Sequence, residues 1–226
     1  MKKLLFILTT LLVFNINLAA QHAFGVRGGA GVSSVAFSPN LETTFTDIMP
    51  TYGITYRYRG GDTFVGGIEV DLNYVEAGYK YLTGEDYKNS YERSWQSVEL
   101  PFLWQPHVTF GKNENGSIFL NAGPYVGYTF SSSDVTYKVD GVVDSVEEYD
   151  FDAIKDNVFN YGLMGGLGVG ARFGKIEVIA EVRYVYGLSD IIKNPTKYAS
   201  SSYTESPLSQ LNFTVGIYYN FIKKNK

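Results

Sequence analysis

The chain has 226 residues, of which 45% are apolar and 16% aromatic, with no cysteine and a formal charge of −4. The missing cysteine excludes a disulfide framework, a thiolate metal site and a lipidated cysteine. The acidic balance argues against nucleic acid as a partner, because phosphate binding needs clustered positive charge.

Residues 1–20 read as an export signal. Lys2 and Lys3 precede an apolar stretch from Leu4 to Phe14, and Ala19-Ala20-Gln21 offers small residues for cleavage after Ala20. That stretch is well short of the ~20 residues a spanning helix needs. Without Lys2 and Lys3 the 19 basic residues fall to 17 against 23 acidic ones, a formal charge of −6 for a domain over 21–226.

Beyond the signal, side-chain polarity alternates with period two, the mark of strands with two unlike faces. Strands are predicted at 23–33, 51–59, 64–75, 97–104, 117–129, 161–173, 176–187 and 210–221. In the third, Phe64, Ile68, Val70, Leu72 and Tyr74 share one face while Glu69, Asp71 and Asn73 share the other. In the last, Leu211, Phe213, Val215, Ile217, Tyr219 and Phe221 oppose Asn212, Thr214 and Asn220. The apolar faces carry no charge. The opposite faces carry Arg27, Arg57, Arg59, Glu69, Asp71, Glu99, Arg172, Glu177, Glu181 and Arg183.

A soluble binding barrel in the periplasm would turn the apolar face inward; a membrane barrel turns it to lipid and keeps a polar lumen. Three features favour the membrane form. The polar face mixes Gly, Asn and Thr with charges of both signs, as a filled interior would. Its cations are all Arg, whose planar fork suits buried pairing, whereas Lys80, Lys112, Lys175 and Lys223 fall in expected turns, loops or the tail. Aromatic residues such as Phe64, Tyr74, Trp104, Tyr161, Phe173, Tyr184 and Tyr219 sit near the ends of the apolar faces, where a membrane has its two interfaces.

Connections alternate in length. Those at 60–63, 105–116 and 174–175 are short; those at 34–50, 76–96, 130–160 and 188–209 are long. This is the pattern of an up-and-down barrel with short periplasmic turns and long extracellular loops. The predicted fold is therefore all-β, an eight-stranded antiparallel up-and-down transmembrane barrel. Pro101 and Pro124 fall inside strands, where each removes a ladder donor, and β-bulges are expected there.

Several segments resemble the outer-membrane barrel family of Bacteroidetes named after PorT. Phe24-Gly25-Val26-Arg27-Gly28-Gly29 is similar to its opening strand, and Val98-Glu99-Leu100-Pro101-Phe102-Leu103 to its central strand with an acidic-aliphatic-proline motif. Ala122-Gly123-Pro124-Tyr125-Val126-Gly127 and Glu181-Val182-Arg183-Tyr184-Val185-Tyr186-Gly187-Leu188 resemble later strands of the family. The resemblance implies an eight-stranded outer-membrane barrel without an assigned activity. The founding member's association with type IX secretion is not carried over, since no residue here matches that role. The tail Ile222-Lys223-Lys224-Asn225-Lys226 after Phe221 departs from the usual aromatic end.

The inward charges are the best candidate for chemistry, since paired carboxylates such as Glu69 and Asp71, or Glu177 and Glu181, could serve as acid and base. The competing reading is structural, because charges packed in a narrow lumen must neutralise one another. On that reading Arg27, Arg172 and Arg183 cross-link Glu69, Glu99 and Glu181, with Arg57, Asp71 and Glu177 in the same network. The segment from Asp134 to Asp156 is acidic (Asp140, Asp144, Glu147, Glu148, Asp150 and Asp152 among others) but lacks the spacing of a calcium loop. Within it, Asp140-Gly141 between short β-rich runs reads as a tight hairpin. His22 and His107 both fall at the periplasmic rim, which leaves no nucleophile–base pair for a lipid-modifying enzyme. The glycines of 162–170 lack the helix a nucleotide loop needs and suit close lumenal packing instead.

No catalytic residue, cofactor or metal is therefore expected. Outer-membrane lipid surrounds the barrel, and its outer loops offer a site for a protein, polysaccharide or small ligand. A narrow channel is the weaker alternative, because eight strands enclose little more than their own side chains.

Overall fold

The computed structural model describes residues 21–38, 41–59, 66–83, 88–111, 115–130, 133–149, 156–193 and 205–221. The expected signal segment, the 60–63 turn, Phe64, Asp150, Asp152 and the tail after Phe221 lie outside these residues.

The strands are β1 (Gln21–Val35), β2 (Met49–Arg59), β3 (Gly67–Thr83), β4 (Asn89–Gln105), β5 (His107–Phe110), β6 (Gly116–Thr129), β7 (Ser133–Val139), β8 (Val142–Tyr149), β9 (Phe159–Phe173), β10 (Ile176–Asp190) and β11 (Pro207–Phe221). Each of β1, β2, β3, β4, β6, β9, β10 and β11 pairs antiparallel with its neighbours, β1 with β11 and β4 with β6, so that eight strands form a closed ring. Closure matters here because lipid supplies no partner for a free backbone edge. β5 continues the line of β4 after Pro106 and pairs with β6 at the end carrying the short turns, and the β7–β8 hairpin joins β4 at the other end.

Facing residues confirm the alternation. Phe213, Val215, Ile217 and Phe221 on β11 are each about half exposed, while Asn212, Thr214, Tyr218 and Asn220 between them are buried. The rings form two girdles. At the long-loop end Tyr52 stacks on Tyr74 at 4.6 Å and Tyr128 meets Phe159 at 5.3 Å. At the short-turn end Phe24 meets Tyr56 at 4.9 Å and Phe221 at 5.9 Å.

The two prolines produce no bulge. On β4–β6 the pairs Pro101↔Tyr125 and Trp104↔Ala122 share one register, with the rungs between them unpaired. The β3–β4 ladder likewise skips from Val70↔Phe102 to Asn73↔Glu99 without a shift. Each proline removes its donor and opens the ladder over two rungs, yet the flanking pairs are enough to keep the strands aligned.

The second expected loop is a correction. Residues 76–83 and 89–96 continue β3 and β4 as a paired hairpin beyond the outer girdle. The polarity of both faces inverts where they leave the membrane. On β3 the inward series Glu69, Asp71, Asn73 gives way to Val75, Ala77 and Tyr79, and the outward series Val70, Leu72, Tyr74 gives way to Glu76 and Lys80. Outside the bilayer the solvent is water again, so the apolar side turns inward. The inner side there forms a core of Val35, Phe37, Val75, Ala77, Tyr79, Trp95 and Leu208. Lys80 and Lys138 therefore lie on strands rather than in loops, but only in this extension.

The predicted Asp140-Gly141 hairpin is present as β7–β8. Both residues have positive φ, 50° and 78°, as a two-residue turn of this hand requires.

The first outer loop is stapled to the extension. The Thr44 amide donates to the Lys80 carbonyl at 2.7 Å, and Asp47 accepts from Lys80 Nζ at 2.7 Å and from Lys138 Nζ. Hydrogen bonds from Lys138 and then Lys80 hold the Asp47 carboxyl below its ordinary value of 3.8, against partial desolvation. A depressed carboxylate contributes stability that is present above its unfolded value and lost as pH falls through its folded one. A spin label placed by Phe45→Cys is thus expected to be immobile at neutral pH and to loosen only below about pH 4. Asp47→Asn should loosen it at every pH; an unchanged spectrum would show that other contacts hold the loop.

Candidate functional site

The strand period sends every second side chain of the ring into the lumen, where the sequence had placed its charges. Nine of the ten expected inward charges are buried; Arg172 is half-buried.

In the middle of the barrel Arg27 and Arg183 grip the same three carboxylates. Arg27 reaches Asp71 and Glu181, each at 3.0 Å, and Glu69 at 3.5 Å. Arg183 reaches Asp71 at 2.5 Å, Glu181 at 2.6 Å, and Glu69. Towards the short turns, Arg57 and Arg59 bind Glu177 at 2.6 and 3.0 Å, and the Arg57 guanidinium lies 4.2 Å from the centre of the Tyr218 ring.

Neutral groups join the two clusters. Gln105 accepts from Arg57 at 3.4 Å and donates to Glu69 at 2.8 Å and to Asn121 at 3.1 Å, and Asn121 donates to Glu181 at 2.5 Å. Arg27, Arg57, Arg59 and Arg183 balance Glu69, Asp71, Glu177 and Glu181 one for one. The fork geometry of Arg allows each to serve several oxygens, which Lys would not match.

Two members of the expected network are placed differently. Glu99 is buried, yet it makes no salt bridge among the described residues, and its Oε2 has no hydrogen-bond partner. It lies on the Ser97–Trp104 half of β4, one layer towards the outside from Arg183's three carboxylates. Arg172 sits at the short-turn rim beside the pair formed by Arg59 and Glu177.

The glycines of β9 do what close packing demands. A Cβ on Gly168 would come within 2.2 Å of the buried Phe119 ring, and one on Gly162 within 2.8 Å of Tyr125. These residues let large side chains from β6 lie flat across β9.

Above the ionic plug lies the apolar core of the extension. Beside it Arg93 binds Asp156 at 2.8 Å, tying the third outer connection to β4. Tyr125, Asn160 and Ser189 line a small cavity there with Trp95.

Sequence reasoning missed Gln105, Asn121 and Thr214, whose hydroxyl accepts from Arg27 at 2.6 Å, as partners of the charges, and the whole upper core. The signal for the core was legible: on β3, continuing the inward series past Asn73 leads through Val75, Ala77 and Tyr79. The acidic segment is spread over several roles. Asp140, Asp144, Glu147 and Glu148 lie on the β7–β8 hairpin, whereas Asp156 is engaged by Arg93.

Glu69, Asp71, Glu177 and Glu181 are each held by guanidinium donors, and the barrel presents outward apolar side chains flanked by rings. A family model for the outer membrane protein beta-barrel domain matches residues 19–193.

The chain belongs to that family.

It is an integral outer-membrane protein. OprG from Pseudomonas aeruginosa shares the fold at a TM-score of 0.51 and 16% identity, over 92% of this chain and all of that one. Neisserial surface protein A has a TM-score of 0.42 and 14% identity, over 86% of this chain and 97% of that one. The attachment invasion locus protein of Yersinia pestis has a TM-score of 0.38 and 12% identity, over 88% and 99% respectively. At these identities the likeness to OprG speaks for the fold alone. No curated protein matches the chain.

Proposed function

We propose that this outer-membrane barrel is a closed, non-enzymatic scaffold whose extracellular structure binds a partner. The observation that carries the reading is the double filling of its interior: an ionic plug at mid-barrel and an apolar core across the outer mouth. A solute path would have to break the cross-lumen pairs of Arg27 and Arg183 and also displace Trp95, Tyr79 and Phe37. Meanwhile β3, β4, β7 and β8 build a rigid platform outside the membrane. The motifs around Glu99-Leu100-Pro101 and Arg183-Tyr184 support a place among the PorT-like barrels.

Proteoliposomes containing the purified barrel are expected to swell in small sugars no faster than empty liposomes. Rapid swelling would overturn the closed reading in favour of the narrow channel.

A further inference from the structure

Among the described residues, the β7–β8 hairpin ends the sheet at an open edge. β8 pairs with β7 and, among the described residues, with no other strand. An unpaired strand offers its outward N–H and C=O groups to any extended chain of suitable side-chain chemistry. This edge is supported from behind, since β7 pairs with β4 from Ser90↔Lys138 to Arg93↔Val135.

Side chains along β8 define what fits. Val142, Val143 and Val146 are 70%, 52% and 60% exposed, and Asp144, Glu147 and Glu148 beside them are exposed as well. Over the face that β8 shares with β7 and the tip of β4 runs a groove of about 340 Å³ lined by Ser90, Tyr137, Lys138, Asp144, Ser145 and Glu147 among others. Lys138 is its basic side chain among the described residues and is already paired with Asp47. The groove therefore offers uncompensated carboxylates.

A second copy of this chain is a poor occupant. The β8 sequence holds no basic side chain to meet these carboxylates in any register, and self-pairing centred on Ser145 and Val146 would in addition set Asp144 opposite Glu147, like charges that are destabilising across strands.

We infer that β8 is a docking edge for an extended polypeptide segment that carries basic and aliphatic residues on each of its faces, added as a further strand. The inference rests on the outward-binding reading above and names its partner chemistry. Backbone bonds would supply affinity, Val142 and Val146 the apolar contacts, and Asp144, Glu147 and Glu148 the choice of a cationic partner.

The chain has no native cysteine, so Val146→Cys reports its own accessibility. On intact cells it should react with a membrane-impermeant maleimide. Failure to react would place the hairpin elsewhere and overturn both readings.

Binding is then measured by anisotropy on the barrel in detergent with three labelled peptides. One repeats Lys-Lys-Val-Val over about ten residues, the span of a strand, which places both residue types on each face. One replaces Lys by Glu, and one keeps Lys but carries N-methyl groups on alternate amides, which block strand pairing. The first should bind, and the other two about tenfold or more weaker, some 1.4 kcal/mol each. Glu147→Lys with Glu148→Lys should abolish binding of the Lys peptide while the barrel keeps its melting point.

Equal binding of the N-methylated peptide would reduce the effect to charge alone and overturn strand addition. No peptide binding with a labelled Val146→Cys would overturn this inference while leaving the outward-binding reading intact. Dimers through β8 would assign the edge to a second copy instead.

Discussion

Arg183→Leu is expected to lower the melting temperature of the detergent-solubilised barrel more than any other single lumenal change. Arg183 binds Glu69, Asp71 and Glu181 at once, and its side chain is almost wholly enclosed. Leucine would fill part of the space but leave three buried carboxylates facing Arg27 alone. Removing one partner of a buried ion pair costs about 3–5 kcal/mol, because the remaining charge loses its compensation without regaining water. Adding Asp71→Asn and Glu69→Gln to the same chain should recover much of the loss by removing the stranded charge. An unchanged melting point in Arg183→Leu would mean that the lumen admits enough water to solvate these groups, and the closed reading would fall with it.

Val215→Arg addresses the opposite face. Val215 is 45% exposed on β11, between Tyr219 and Phe221 at one girdle and Leu211 towards the other. In water an arginine on an exposed strand position would be nearly neutral. Near the bilayer midplane it should destabilise the barrel by about 2–4 kcal/mol. Reversible folding into lipid vesicles, followed by tryptophan emission from Trp95 and Trp104, measures the difference. Thr214→Ser, one residue along and facing the lumen, serves as the mild control. If Val215→Arg folds as readily as the parent in vesicles, the band around the barrel is not in contact with acyl chains.

Most of the ring was legible in the sequence because strand periodicity has only two phases. Once charges occupy one phase and aliphatic residues the other, the direction of every side chain follows, as it does for Glu69 and Val70. The choice of Arg over Lys told which phase is enclosed. The same logic found the Asp140-Gly141 turn, where two positive φ angles restrict the residue types. It erred at Pro101 and Pro124, since a missing donor can be met by a bulge or by a gap in the ladder, and only the neighbouring pairs decide which. It also stopped the third strand at Val75, where the solvent changes from lipid to water and the meaning of an apolar face reverses.

By itself the sequence determined a closed membrane barrel with opposed faces and a charged interior, because alternation of side chains along one strand is a local property. Which charge meets which was decided by the tertiary structure alone. Arg27 and Glu181 lie on β1 and β10, separated by β11, and their contact depends on the stagger of strands around the ring. The isolation of Glu99, the core behind Trp95 and the open edge of β8 have the same origin: each depends on what stands across the lumen or beside the strand, and that is fixed only when the sheet closes.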